Sequence, residues 1–392
     1  MEDCSMKRIC FVGLYEERNF GDPIIADCTE WLYKRELCSQ DVRFKRVCLD
    51  YVEKHPSFIE RLKNKVGQKF HNDCVDKNNE EQLIYKYYKY FRKQFRDIDV
   101  IILVGGGLIK YSYQSFSASI SGLLKAAQSY NKKVIFNSVG IEGFDADNRR
   151  CLRLKEMLHL SCVKAISTRD DITKLCNSYF DGSPTIPCHY VCDPAVWVSE
   201  VYGIVRKEHN RTIGIGIGRG GLFEDNGIAY SSEDFKQLYL RLIERLLNSG
   251  YNVELFTNGI GTDNEFAQTI QLALEEELNV KVKLSIPTTP RYLVNLISGY
   301  KAIIAARLHA TIIAYSLQIP AIGLVWNNKL TFFGKNINAE DYFIQKDNFS
   351  PSYILRMLET SIEKGYDQVR RKEFRALILD EISNNIKKYI NT

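Results

Sequence analysis

The sequence predicts an α/β fold of two doubly wound, Rossmann-like domains in tandem, facing each other across a cleft. Three observations carry the prediction. Short continuous apolar segments such as Val100 to Val104 alternate with amphipathic stretches, the pattern of a parallel sheet covered on both faces. The alternation halts after Asp193-Pro194 in a polar stretch, Val205 to Arg211, and then restarts. Residues able to carry chemistry fall just behind strands, the edge at which open parallel sheets bind ligands.

Taken in order, the first strand is Arg8 to Leu14, followed by the loop Tyr15 to Gly21 and a helix from Asp22 to Leu37. Helices at Phe58 to Phe70 and Glu80 to Phe95 precede the strand Val100 to Val104. A helix at Phe116 to Tyr130, a strand at Lys133 to Ser138 and a helix at Asn148 to Leu160 come next. The strand Lys164 to Ser167 and the helix Asp170 to Tyr179 close the first half. The second half reads as strands at Thr212 to Ile217, Asn252 to Phe256, Val280 to Leu284, Ala302 to Ala305 and Ala321 to Leu324. Its helices are Ser232 to Asn248, Glu265 to Leu278, Pro290 to Ser298 and Leu308 to Leu317. The expected domains are therefore 1–205 and 211–350. Helices at 351–392 form a tail whose last stretch can cross back onto the first domain.

The 392 residues, 45% hydrophobic and 26% charged, can bury a large core without disulfide or metal staples. A net charge of +5 on 53 basic and 48 acidic residues is too mild for wholesale nucleic-acid binding. Eleven cysteines are scattered without a C-x-x-C pair, and Cys10 lies inside the apolar run Arg8-Ile9-Cys10-Phe11-Val12, which points to reduced, buried thiols. Met1-Glu2-Asp3-Cys4-Ser5 has no signal-peptide character, and no apolar run approaches the ~20 residues of a membrane span. The expected location is cytoplasmic.

Asn19-Phe20-Gly21-Asp22 follows the first strand, and Asp22 is placed to cap the coming helix. Gly105-Gly106-Gly107 follows the strand Val100 to Val104, and its exposed N–H groups at a helix start would cradle an anion, although a tight turn uses the same residues. In Ser167-Thr168-Arg169-Asp170, either Thr168 or Asp170 reads as an N-cap. Arg169, a cation in a first helical turn, goes against the macrodipole and reads better as a clamp for carboxylate or phosphate. Gly214, Gly216 and Gly218 alternate through a strand and miss the dinucleotide spacing, while Arg219 behind them is a second anion ligand. Ala305-Ala306-Arg307-Leu308-His309-Ala310 sets a guanidinium and an imidazole together at a ligand-binding edge. A lone histidine there is more often structural, but the pair points to chemistry. Lys329, after the strand Ala321 to Leu324, is offered to the same edge.

Together these segments resemble the polysaccharide pyruvyltransferase family from Ile9 to about Gly334. The marks are Asn19-Phe20-Gly21-Asp22, Gly105-Gly106-Gly107, Ser138-Val139-Gly140, Ser167-Thr168-Arg169-Asp170, Asp193-Pro194-Ala195, Arg307-Leu308-His309-Ala310, Ile319-Pro320-Ala321-Ile322-Gly323 and Lys329. The resemblance implies a fold like that of glycosyltransferases of the B type. It implies phosphoenolpyruvate as donor and co-substrate, with no other cofactor and no metal. The acceptor would be a hydroxyl pair on a galactose- or mannosamine-type sugar of a capsule or exopolysaccharide precursor. His309 would be the acid–base residue. Arg169, Arg307, Lys329 and Arg219 would bind the donor. Asn19, Asp22, Gly105, Gly106, Gly107 and Asp193 would line the acceptor side, placed on the first domain, with the donor on the second. Arginine forks suit so small and highly charged a donor.

Two other readings share this architecture. A nucleotide-sugar glycosyltransferase would need an acidic or aromatic grip on ribose and base, which no segment displays, and donor screening separates it. A non-catalytic sugar-binding protein would have no use for Arg307 beside His309. Finally, Tyr85 to Arg96 interleaves aromatics with Lys86, Lys89, Arg92, Lys93 and Arg96. It reads equally as a solvated helix with one core stripe or as a contact for anionic lipid, which would suit a polyprenyl-diphosphate-linked acceptor at the inner face of the cytoplasmic membrane.

Overall fold

The computed structural model describes residues 6–55, 73–109, 116–207 and 211–392. The helix expected at Phe58 to Phe70 lies outside them. The chain forms two compact units. The first comprises the described parts of Met1–Glu16, Thr29–Cys192 and Ile378–Thr392, and the second comprises Glu17–Cys28 and Asp193–Leu377.

The first unit is built on strands β1 (Lys7–Gly13), β2 (Val42–Cys48), β3 (Val100–Ile109), β4 (Lys133–Ile141), β5 (Val163–Thr168) and β6 (Cys188–Tyr190). All pair in parallel, in the order β2-β1-β3-β4-β5-β6. Helix α1 (Gly21–Glu36) starts in the second unit's residues and ends in the first's. Helices α2 (Asp73–Phe95), α3 (Ser117–Ser129), α4 (Arg149–Leu158) and α5 (Ile172–Tyr179) belong to the first unit. The centre of β3 is wholly buried because Val100 to Val104 must be apolar on both faces of a covered parallel sheet. On α2, Ile84, Tyr87, Phe91 and Phe95 recur at helical spacing and are all buried. Tyr87–Phe91 and Phe91–Phe95 stack at 5.9 and 5.3 Å between ring centroids. Gly122 lets α3 approach this stripe, since a Cβ there would stand 2.4 Å from Tyr87 Cβ.

The second unit carries β7 (Thr212–Gly216), β8 (Asn252–Phe256), β9 (Lys283–Ser285), β10 (Ala302–Ala305), β11 (Ala321–Leu324) and β12 (Phe343–Ile344). Their order is β12-β11-β10-β7-β8-β9, again all parallel. Its helices are α6 (Val198–Tyr202), α7 (Ser232–Asn248), α8 (Gly261–Leu278), α9 (Pro290–Ser298), α10 (Leu308–Ser316), α11 (Asn328–Asn336) and α12 (Pro351–Lys364). α10 is buried nearly all round, which its run of apolar residues requires.

The division falls between Cys192 and Asp193 rather than in the polar stretch 205–211, because the turn Pro194–Trp197 and α6 pack against α10 of the second unit. Helix α13 (Gln368–Asn385) passes from one unit's residues to the other's, and its end is tied to the first sheet. There His189 Nδ1 lies 2.9 Å from Glu381, Asn385 donates to Tyr33, Tyr33 donates to Asn137, and Lys133 donates to Tyr389 O. The described cysteines are free, Cys38 being exposed and Cys10, Cys28, Cys48, Cys151, Cys162 and Cys192 buried. Among the described residues, no helix is long and apolar enough to cross a membrane.

Candidate active site

In the second sheet, strands on either side of the β7–β10 pair are added in opposite directions, so the topological switch point lies there. Doubly wound sheets bind ligands beyond the carboxyl ends of the strands at this point. Arg219 follows β7 and Arg307 follows β10, so the strand order brings both arginines to the switch point.

Arg307 occupies the N-cap position of α10 with extended backbone (φ −93°, ψ 125°). Its Nε donates to Asp263 Oδ2 at 2.8 Å and its Nη2 to Asp263 Oδ1 at 2.5 Å, a two-bond fork that fixes the guanidinium plane. Asp263, in the first turn of α8, is fully buried and also accepts the backbone N–H of Arg219 at 3.0 Å. One carboxylate therefore ties together the segments behind β7, β8 and β10. The indole of Trp326 stands 5.9 Å from the guanidinium and donates to Ala306 O at 2.6 Å. The fork uses one edge of the Arg307 guanidinium and leaves Nη1 for another anion. Arg219 itself is bonded to Asp225, and its side chain stays one-third exposed.

His309, the second residue of α10, is buried. Its Nε2 lies 3.7 Å from Asp193 Oδ2, while Asp193 Oδ1 accepts the N–H of Ala195 and so caps the turn Pro194–Trp197. The other side of the ring meets Gly21, where a Cβ would stand 2.0 Å from Nδ1 and 2.3 Å from Cγ. Only glycine fits at position 21. Asn19 Nδ2 donates to Asp22 Oδ2 at 3.2 Å, and Phe20 N donates to Asn258 O at 3.1 Å. Asp22 lies inside the first turn of α1, beginning at Gly21, and is not its cap as expected. Asn19, Asp22, Asp193 and His309 are thus in one unit, and Asp193 belongs with His309. The Asn258 side-chain Nδ2 is buried and finds no hydrogen-bond partner among the described residues. Lys329 lies in the first turn of α11, whose N-cap Asn327 accepts the Lys329 N–H at 3.2 Å.

The remaining predicted residues lie in the first unit, and two expectations about them are corrected. Gly105, Gly106 and Gly107 do not open a helix: they are part of β3, which pairs with β4 as far as Ile109. Gly106 has a φ of +95°, and the register shifts after it. The cap of α5 is neither Thr168 nor Asp170 but Asp171, which accepts from Thr173 at 2.9 Å. The Thr173 hydroxyl, which donates to the same Asp171 oxygen at 2.7 Å, is the main cause holding the Asp171 carboxyl below its usual range. Thr168 Oγ1 instead donates to Val139 O at 2.8 Å, and Asp170 Oδ2 accepts Ile141 N at 2.7 Å. Arg169 is buried between them, three residues ahead of the helix, its N–H donating to Val139 O. Macrodipole repulsion in a first turn therefore does not apply to it.

Sequence reasoning missed Asp263 and the packing of Gly21 on His309. An acid in a first turn is ordinary, and nothing local marks Asp263 as buried. The alternating glycines of β7 have a packing cause: Cβ atoms at Gly214 and Gly216 would strike Tyr300 at 2.4 Å and Ala305 at 2.8 Å. Among the described residues, no group of three or more His, Cys, Asp or Glu side chains could hold a metal ion.

The UDP-GlcNAc 2-epimerase of Methanocaldococcus jannaschii superposes with a TM-score of 0.61 at 11% identity, over 97% of this chain and 99% of that one. The Neisseria meningitidis UDP-GlcNAc 2-epimerase bound to UDP-GlcNAc gives 0.58 at 11% identity, over 99% and 100%. A glycosyltransferase from Rickettsia africae gives 0.53 at 13% identity, over 99% and 100%. At such identities the likeness is one of fold, and it sets the chain among proteins built like B-type glycosyltransferases. Residues 48–328 match the polysaccharide pyruvyl transferase family, and the chain belongs to that family. No curated protein matches its sequence significantly.

Proposed function

We propose that the protein transfers pyruvate from phosphoenolpyruvate to two hydroxyls of one sugar, forming a cyclic ketal and releasing phosphate. One observation carries this reading. Arg307 and His309, two residues apart behind β10, are each set by a buried partner: Asp263 for the guanidinium, Gly21 and Asp193 for the imidazole. A fixed guanidinium suits a donor bearing carboxylate and phosphate, and an imidazole beside it suits proton transfer.

In the proposed reaction His309 protonates the methylene carbon of the enol, which becomes a methyl group. The adjacent carbon takes on oxocarbenium character and is attacked by one sugar hydroxyl, whose proton passes to the now neutral His309. The bond to the phosphate oxygen breaks and phosphate leaves. The second hydroxyl then attacks the same carbon and closes the ring, its proton leaving with the phosphate. Asp193 supplies negative charge against the imidazolium that must exist before the first step. Arg307 holds the donor, with Arg219 and Lys329 beside the same strand ends. Arg169, and the acceptor roles of Asn19, Asp22, Asp193 and Gly105 to Gly107, are proposed on the family resemblance. The reaction needs no cofactor. The acceptor is proposed to be a galactose- or mannosamine-type residue on a polyprenyl-diphosphate-linked precursor of a capsule or exopolysaccharide, met in the cytoplasm.

The test is phosphate release from phosphoenolpyruvate with a panel of lipid-linked sugars, run beside the same panel with nucleotide sugars as donors. Turnover of nucleotide sugars alone would replace this reading with glycosyl transfer.

A further inference from the structure

We propose that the outer face of α2 is a docking surface for an anionic lipid bilayer, an inference independent of the reaction at His309. Lys86, Lys89, Arg92, Lys93 and Arg96 are all exposed. At 3.6 residues per turn the four on α2 fall within about a third of the helix circumference, opposite the buried stripe of Ile84, Tyr87, Phe91 and Phe95, and Arg96 follows in the turn just past the helix end.

Among the described residues, the acids near this face are engaged elsewhere. Glu80 and Glu81 are bound by Arg150 and Arg153. Asp99 accepts the backbone N–H of Arg8, and Asp97 lies 3.9 Å from the Arg8 guanidinium. Among the described residues, Lys89, Arg92, Lys93 and Arg96 form no ion pair. Aromatic rings support the cations instead: Lys89 Nζ lies 4.4 Å from the Tyr85 centroid, and Arg92 lies 5.7 and 5.0 Å from those of Tyr88 and Tyr130. Tyr85 is itself 55% exposed, a large amphipathic ring among the charges. Lys125, on the neighbouring helix α3, is exposed as well.

A positive face with tyrosine at its surface, on a chain whose described helices do not cross a membrane, matches the interfacial region of a bilayer rich in anionic lipid. Nucleic acid is the weaker match, because the overall charge is only +5.

The experiment is flotation of the full chain with phosphatidylcholine–phosphatidylglycerol vesicles and with pure phosphatidylcholine vesicles, at low and high salt. Binding is expected only to the anionic vesicles, and weaker at high salt. The triple variant K89E/R92E/K93E should bind at least ~10-fold more weakly while keeping the wild-type melting temperature. Should it fail to fold, K89Q/K93Q/R96Q serves the same purpose with a smaller expected loss. No flotation of the wild type, equal binding to neutral vesicles, unchanged binding by a folded variant, or capture of RNA in place of vesicles would each overturn the proposal.

Discussion

Gly21 and His309 are packed so closely that the imidazole fills the space a side chain at position 21 would need, with Nδ1 2.0 Å from the Cβ position. The first turn of α1 therefore forms one wall for the ring on α10, and Asp193 stands at its other nitrogen. G21A should displace the ring and lower turnover by roughly 10²-fold, the scale of an ångström of misplacement, while phosphoenolpyruvate affinity changes little. Overpacking should also cost about 1–3 kcal/mol of stability, read by denaturant unfolding. Wild-type turnover by G21A would show that the position of the ring is unimportant.

Removing the ring itself has a different signature. H309A should still fold, since no other residue of the core is altered, yet turn over more slowly by roughly 10²-fold or more. Steady-state kinetics alongside circular dichroism checks this. A well-folded H309A at near-normal rate removes His309 from the chemistry.

Asp263 makes Arg307 a preset ligand. D263N keeps the shape but turns an amide N–H₂ toward a guanidinium, so a buried pair is broken at a cost of about 3 kcal/mol. The KM for phosphoenolpyruvate should rise more than kcat falls. In a double-mutant cycle D263N and R307A should be strongly non-additive. Additive effects would make Asp263 a structural cap of α8 alone.

R307A and R169A should each weaken phosphoenolpyruvate binding by about 1.5–3 kcal/mol in calorimetric titration, the scale of a charge-assisted contact. Lysine at either place should rescue poorly, for want of a planar fork. Unchanged donor affinity in both variants would exclude them as donor ligands.

The buried thiols should make the fold less stable at alkaline pH. Burial raises the Cys10 thiol from 9.0 to about 12, and burial with the Asp50 hydrogen bond does the same for Cys48. The unfolded chain loses these protons first, so their contribution is complete below about pH 9 and is lost as pH rises toward 12. Each fully buried thiol should contribute a slope of about 1.4 kcal/mol per pH unit in that window. Urea unfolding across it should show falling stability, with a shallower fall in a Cys10→Ala variant.

The long periodic elements were legible in the sequence because continuous apolar strands and amphipathic helices leave strong local patterns. β2, β6 and β12 were not. They are edge strands: β2 carries Arg43, Lys45 and Arg46, and the others have three and two residues, too few for any pattern. Strand order was equally hidden, so the sequence placed Arg219 and Arg307 behind strands without showing that those strands are neighbours. Gly105 to Gly107 read as an anion cradle at a helix start, or a tight turn, because glycines behind a strand signal a break locally, but the pairing of β3 with β4 continues through them. Asp263 was invisible for a physical reason: its role depends on complete burial against two distant segments, and no neighbouring residue records that.

Whether phosphoenolpyruvate is the donor can be measured directly. The purified protein is incubated with phosphoenolpyruvate and a lipid-linked sugar, phosphate is quantified, and the sugar product is examined by mass spectrometry and NMR. One phosphate is expected per sugar consumed, with a product carrying a methyl group on a ketal carbon bridged by two sugar oxygens. A product bearing a transferred sugar, or no phosphate release with any acceptor that binds, would contradict phosphoenolpyruvate as the donor.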